Sequence, residues 1–95
     1  MTPEGKVKEG IKRELKRIGA FYHMPVQNGM GEPTVDFVCC IRGRGFLIEA
    51  KAPGGNLTPR QAITFQKYQA AGGATFLMDG SEQSYNEFRL WVTNI

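Results

Sequence analysis

Ninety-five residues suit one compact domain, so size argues against two separately folding units. With 41% hydrophobic and 22% charged residues the chain reads as globular rather than disordered, and no apolar run reaches the length of a signal segment or membrane span. Twelve Lys and Arg against nine Asp and Glu leave a net charge of +3, which permits a nucleic-acid partner.

Thr2 and Pro3 resemble an N-cap and first helical residue, and Val7, Ile11, Leu15 and Ile18 follow at steps of four, four and three. With Gly19 as the stop, the pattern predicts a helix over about residues 3 to 18. Lys6, Lys8, Lys12, Arg13, Lys16 and Arg17 all fall in this stretch. The exposed face carrying Lys12, Arg13, Lys16 and Arg17 is a candidate phosphate-contact surface, or simply a solvated helix face.

FYHMPV (21 to 26) predicts a short strand that Pro25 ends or confines to an edge. QNGMGEP (27 to 33) has the composition of a loop. VDFVCCI (35 to 41) predicts a second strand, turned back at residues 42 to 45 into a third over 46 to 51. Cys39 and Cys40 are adjacent, point to opposite faces in such a strand, and read as reduced thiols of a cytoplasmic protein.

Thr58, Pro59 and Gln61 stand at the offsets of a cap, a first-turn proline and a capping-box partner, predicting a helix to about Ala71. ATFLMD (74 to 79) predicts a further strand, for which this helix supplies the crossover of a parallel connection. Residues 81 to 95 fit either a helix, from Tyr85, Phe88 and Trp91 at every third position, or a strand in RLWV. The order α-β-β-β-α-β, with a possible last α, predicts an α/β fold with a small mixed sheet flanked by helices over residues 1–95.

The chemistry lies in the strands. Alternation sets Glu49 and Lys51 on one face and Asp36 on the corresponding face of the preceding strand. If Gly43 and Arg44 form the turn, Asp36 opposes Lys51; if Arg42 and Gly43 do, it opposes Glu49. Either register brings the three within cross-strand distances of ~5 to 8 Å. Two carboxylates this close repel, and a divalent cation is the economical resolution.

Oxygen-only donors suit Mg²⁺ or Mn²⁺, with Asp36 and Glu49 as ligands and the Ala50 carbonyl as an added one. For phosphodiester hydrolysis such a metal polarises the phosphate and lowers the pKa of a bound water. Lys51 then orients the nucleophile or stabilises developing charge. Gln61, inward with Phe65 and Tyr68, is placed to reach the water, a phosphate or Lys51, and otherwise serves only as a cap. Glu4 is a candidate outer carboxylate from the first helix, with Glu9 as the substitute if that helix is rotated. The same charges admit two further readings: a non-catalytic DNA-binding protein using the basic first helix, or a structural protein whose buried charges pair.

TPEGKVK, MPVQNGMGEPTVDF, FLIEAKAPGGNLTPRQ and AAGGATFLMDG, in this order, resemble the VRR-NUC (virus-type replication-repair nuclease) family of the PD-(D/E)xK superfamily, most closely its small stand-alone phage and prophage members. The resemblance covers almost the whole chain and implies a restriction-endonuclease-like core. It matches Asp36 to the motif aspartate, Glu49 and Lys51 to the acid-x-lysine pair, Gln61 to the helix glutamine and Glu4 to the first-helix glutamate. It further implies a metal-dependent DNA endonuclease acting, as a homodimer, on branched DNA such as four-way (Holliday) junctions. Thr34 and Val35 separate Pro33 from Asp36, where many members have Pro directly before Asp. One site per small domain and two symmetric cuts per junction also favour a C₂ dimer.

Overall fold

The hydrophobic stripe of the first helix is buried as its spacing demands. In a computed structural model, which describes residues 1–26 and 35–95, helix α1 runs Pro3–Ile18 with Val7, Ile11 and Leu15 in the core. Thr2 caps it, its hydroxyl accepting from the Gly5 N–H at 3.0 Å, and Gly19 at φ 75° ends it. The predicted loop over residues 27 to 33, with Thr34, lies outside the described residues.

Strand β1 is shorter than expected, Phe21–His23, because the chain leaves the sheet before Pro25. Strands β2 (Phe37–Ile41) and β3 (Arg44–Ala50) form the predicted hairpin. Its turn is only Arg42 and Gly43, at φ 47° and 78°, the left-handed pair that a two-residue hairpin loop requires. The strand therefore resumes at Arg44, two residues before the predicted start, and the register is the one that sets Asp36 against Glu49. Helix α2 (Pro59–Ala70) carries the complete capping box, and β4 (Ala74–Met78) pairs in parallel with β3. The two-way reading of the carboxyl-terminal segment resolves to helix α3, Glu82–Thr93.

The four strands lie in the order β1-β2-β3-β4, antiparallel except for the last pair. On one face Phe37, Cys39, Ile41, Phe46, Ile48 and Ala50 pack against α1 and α3. Phe46 is ringed by Phe88 at 5.5 Å and Trp91 at 5.2 Å, so the aromatics of α3 are core residues. On the other face Leu47 meets Phe65 of α2. The result is a mixed α/β sandwich of two helices, sheet and one helix.

One expectation about the second strand fails at its start. Regular alternation would put Val35 and Phe37 on the same face. Val35 instead packs with Leu47 and Phe65, while Phe37 belongs to the opposite cluster, so the chain turns over at Asp36. The ladder accordingly begins at Phe37, and Asp36 stands at a bend at the end of the sheet.

Candidate active site

At that bend two side chains replace two ladder bonds. The Asp36 N–H donates to Glu49 Oε2 at 3.2 Å, and the Ala50 N–H donates to Asp36 Oδ2 at 2.9 Å. The exchange is reciprocal: each carboxylate caps the backbone at or beside the other's strand. Glu49, on the α2 face of β3, is only 5% exposed. Burial first, and then the charge of Asp36, push its carboxyl up to about 8, offset in part by the Asp36 N–H and the Lys51 ammonium.

Gln61 joins from α2. Its Oε1 accepts from the Thr58 N–H at 2.9 Å as half of the capping box, and its Nε2 donates to Glu49 Oε1 at 2.9 Å. The capping reading of Gln61 is realised, and the amide expected at a water, a phosphate or Lys51 meets Glu49 instead, because an amide has an acceptor at one end and donors at the other.

Lys51 lies just beyond β3, its N–H bound to the Met78 carbonyl at 3.0 Å. The chain then reverses through Ala52-Pro53-Gly54-Gly55, closed by the Gly55 N–H on the Ala52 carbonyl at 2.9 Å. Gly54 at φ 81° after Pro53 marks a type II turn. A Cβ on Gly55 would sit 3.0 Å from the Lys51 Cβ, so glycine there leaves room for the Lys51 stem in this tight reversal.

From α1 the residue that reaches the carboxylates is Lys8, which residue spacing places only among the general basic residues. Its ammonium lies 3.4 Å from Asp36 Oδ1 and 3.6 Å from Glu4 Oε2. Burial works against its charge, yet Asp36 and then Glu4 outweigh it and raise the Lys8 pKa. Glu4 is thus connected to Asp36 through Lys8. The substitute Glu9 instead pairs with Lys12 at 3.0 Å. The signal for Lys8 is present in the sequence, one step past Val7 and four past Glu4 on a helix flank, but helix rotation decides which flank residue meets the sheet end.

The basic face of α1 is partly compensated. Lys12 is paired with Glu9, and Arg17 with the buried Glu14, which also takes a two-pronged bond from Arg89 at 2.9 and 3.1 Å. Arg13 lines a cleft with Lys6, and Lys16 is exposed.

Among the described residues no group of three or more His, Cys, Asp or Glu side chains is gathered as a metal cage. Two adjoining carboxylates, one of them buried and driven toward protonation, nevertheless fit a hard divalent ion, since Mg²⁺ takes one or two carboxylates and retains water. Asp36 and Glu49 are the residues that would hold it. Ala50 has committed its N–H to Asp36, and strand geometry sets its carbonyl on that same edge of β3.

Comparison with protein-family models, with curated proteins and with solved structures finds no match for this chain. The fold and site define a mixed α/β domain in which paired carboxylates, a glutamine and two lysines meet at one end of the sheet. None of its helices is long and apolar enough to cross a membrane among the described residues.

Proposed function

We propose that this chain is a Mg²⁺- or Mn²⁺-dependent endodeoxyribonuclease with a restriction-endonuclease-like core. The observation that carries the reading is the Asp36–Glu49 pair, with the Glu49 carboxyl raised to about 8 beside the ammonium of Lys51. A bound divalent ion supplies Lewis acidity toward a phosphate oxygen and an acidified water. Lys51, tied at its backbone to β4, presents a cation to the charge that develops on phosphorus-bound oxygens. Gln61 fixes the rotamer of Glu49, and Lys8 fixes that of Asp36. The substrate is DNA, branched as in a four-way junction, and cutting both strands of such a symmetric substrate calls for a homodimer. Two free thiols, Cys39 buried and Cys40 exposed, suit a reducing, cytoplasmic setting.

The backbone bonds to both carboxylates favour one other reading, a purely structural latch at the end of the hairpin. A latch needs acceptors but no charge: Asn and Gln would bind the same N–H groups without the burial cost, and then the repulsion by Asp36, that raise Glu49. The nuclease reading explains why both positions are acidic. A labelled junction, a flap and a linear duplex, each incubated in Mg²⁺, Mn²⁺ and EDTA, decide between them. Metal-dependent cleavage lost in Asp36→Asn supports the nuclease, and symmetric nicks confined to the junction support the branched substrate. Intact DNA in every tube sinks the reading and leaves the latch or a non-catalytic binder on α1.

A further inference from the structure

The two flanks of α1 face different parts of the molecule. Lys6, Gly10 and Arg13 recur at steps of four and three and share one flank, which faces Tyr85 of α3 across a cleft of about 330 Å³. Lys8 stands about 200° round the helix from Lys6, on the flank that meets Asp36. The cleft is therefore separate from the carboxylates, and its own contents define what it can hold.

Three hydrogen-bond donors line it. The Tyr85 hydroxyl lies 2.5 Å, and Arg13 Nη2 3.8 Å, from the point that a Cβ on Gly10 would occupy. Alanine would suit this helix-interior position better but would collide with that hydroxyl, so glycine is what lets the two groups approach each other. Lys6, one turn before Gly10, lines the same cleft. Among the described residues, the side chains of Lys6 and Arg13 join no ion pair, and no hydrogen bond engages them or the Tyr85 hydroxyl. Lys8, Lys12 and Arg17 of the same helix are by contrast paired with carboxylates. Burial, and then the charge of Glu14, raise the Tyr85 pKa, so the hydroxyl keeps its proton and remains a donor. Asp79, the acid at the wall, accepts from the Ser81 N–H at 2.9 Å.

We infer that this cleft docks a phosphate of the DNA backbone other than the one to be cut. Two cations and a hydroxyl without acceptors of their own match the anionic oxygens of a phosphodiester. The apolar wall of Val7 and Pro53 suits the adjoining deoxyribose. The inference rests on the nuclease reading for the identity of the polyanion. It moves the DNA contact of α1 from Lys12 and Arg17, which are paired, to the flank where the cations are free.

Affinity for a short labelled duplex is measured by fluorescence anisotropy in EDTA over a series of KCl concentrations, so that cleavage plays no part. Lys6→Ala combined with Arg13→Ala is expected to weaken binding roughly tenfold and to reduce the slope of log affinity against log salt by about two. Tyr85→Phe is expected to weaken binding roughly three- to tenfold with the slope unchanged, because it removes a hydrogen bond and no charge. Arg44→Ala combined with Lys67→Ala removes equal charge elsewhere and is expected to lower the slope by less than about 0.5. Circular dichroism checks that each variant folds, and the exposed Lys6 and Arg13 can be replaced without touching the core if Tyr85→Phe does not. An unchanged slope in the Lys6 and Arg13 pair, an equal loss in the control pair, or no duplex binding by the parent overturns the inference. Inorganic phosphate is titrated in parallel by calorimetry. Phosphate binding that the cleft variants lose while their DNA affinity is unchanged would assign the cleft to a free anion and also overturn it. The expected cleft effect in a protein that cuts no DNA with either metal would sink the nuclease reading alone.

Discussion

Gln61 holds Glu49: its Nε2 donates to Glu49 Oε1 at 2.9 Å while its Oε1 is bound to the Thr58 N–H. One amide therefore couples the start of α2 to the most buried carboxyl in the site. Thr58→Ala and Gln61→Ala each remove part of the capping box and are expected to lower stability by about 1 kcal/mol in chemical denaturation. Only Gln61→Ala also frees Glu49, and its initial cleavage rate is expected to fall ~10- to 100-fold while Thr58→Ala stays near the parent. Equal rates for the two variants would reduce Gln61 to a cap.

Glu49 makes the fold sensitive to alkaline conditions. Its carboxyl is raised to about 8 in the folded chain against an ordinary value of 4.5, so the folded protein retains a proton that the unfolded chain has lost. The contribution is complete below about 4.5 and disappears as pH rises through about 8. Metal-free protein is expected to lose thermal stability across that window, and Glu49→Gln to flatten the slope. Added Mg²⁺ is expected to restore stability at the alkaline end, because a cation favours the ionised pair. A melting temperature independent of pH in this range would show that Glu49 ionises freely.

Lys8 occupies the position of a counter-ion to Asp36 at 3.4 Å. An ammonium there opposes a second cation, and an interaction of ~1 kcal/mol at this range corresponds to roughly fivefold in affinity. Calorimetric titration of Lys8→Met with Mg²⁺ is expected to show tighter binding by about that factor. Weaker binding in the variant would mean that Lys8 organises Asp36 more than it competes with metal.

The buried Glu14 clasps α1 to α3 away from the site. The hydrogen bond from Arg89, followed by Arg17, holds its carboxyl down at about 2, despite the opposing effect of burial. Its contribution to stability is present above its ordinary 4.5 and is lost as pH falls through about 2. Glu14→Gln is expected to cost about 1 to 3 kcal/mol at neutral pH, nearer the lower end because both arginines face solvent. The loss should shrink in acid and leave DNA cleavage unchanged.

Asp36, Glu49, Lys51 and Gln61 are each legible in the sequence because strand alternation, hairpin pairing and capping-box spacing are local rules. Lys8 is not: its partner is 28 residues away, a separation obtained from 36 minus 8, and the α1 stripe identifies the buried face without specifying which flank meets Asp36. Glu14 is hidden for a similar reason, since Arg89 lies 75 residues further on. The bend at Asp36 is also invisible, because VDFVCCI alternates as well as any strand and only the carboxylate of Glu49 on the Asp36 N–H ends the ladder there.

Sequence alone determined the α/β class, the capping and stripes of α1 and α2, and the candidacy of Asp36 and Glu49 as carboxylates on one face of the hairpin, while leaving open which residue Asp36 opposes, since backbone periodicity and turn chemistry act over a few residues. The tertiary structure alone decided that α3 is a helix over Phe46 and Phe76, that the hairpin turns at Arg42 and Gly43, and that Lys8 rather than Glu4 touches Asp36. The first and last of those outcomes depend on how two helices rotate against one sheet face, and that rotation is set by packing of the whole core rather than by any neighbouring residue.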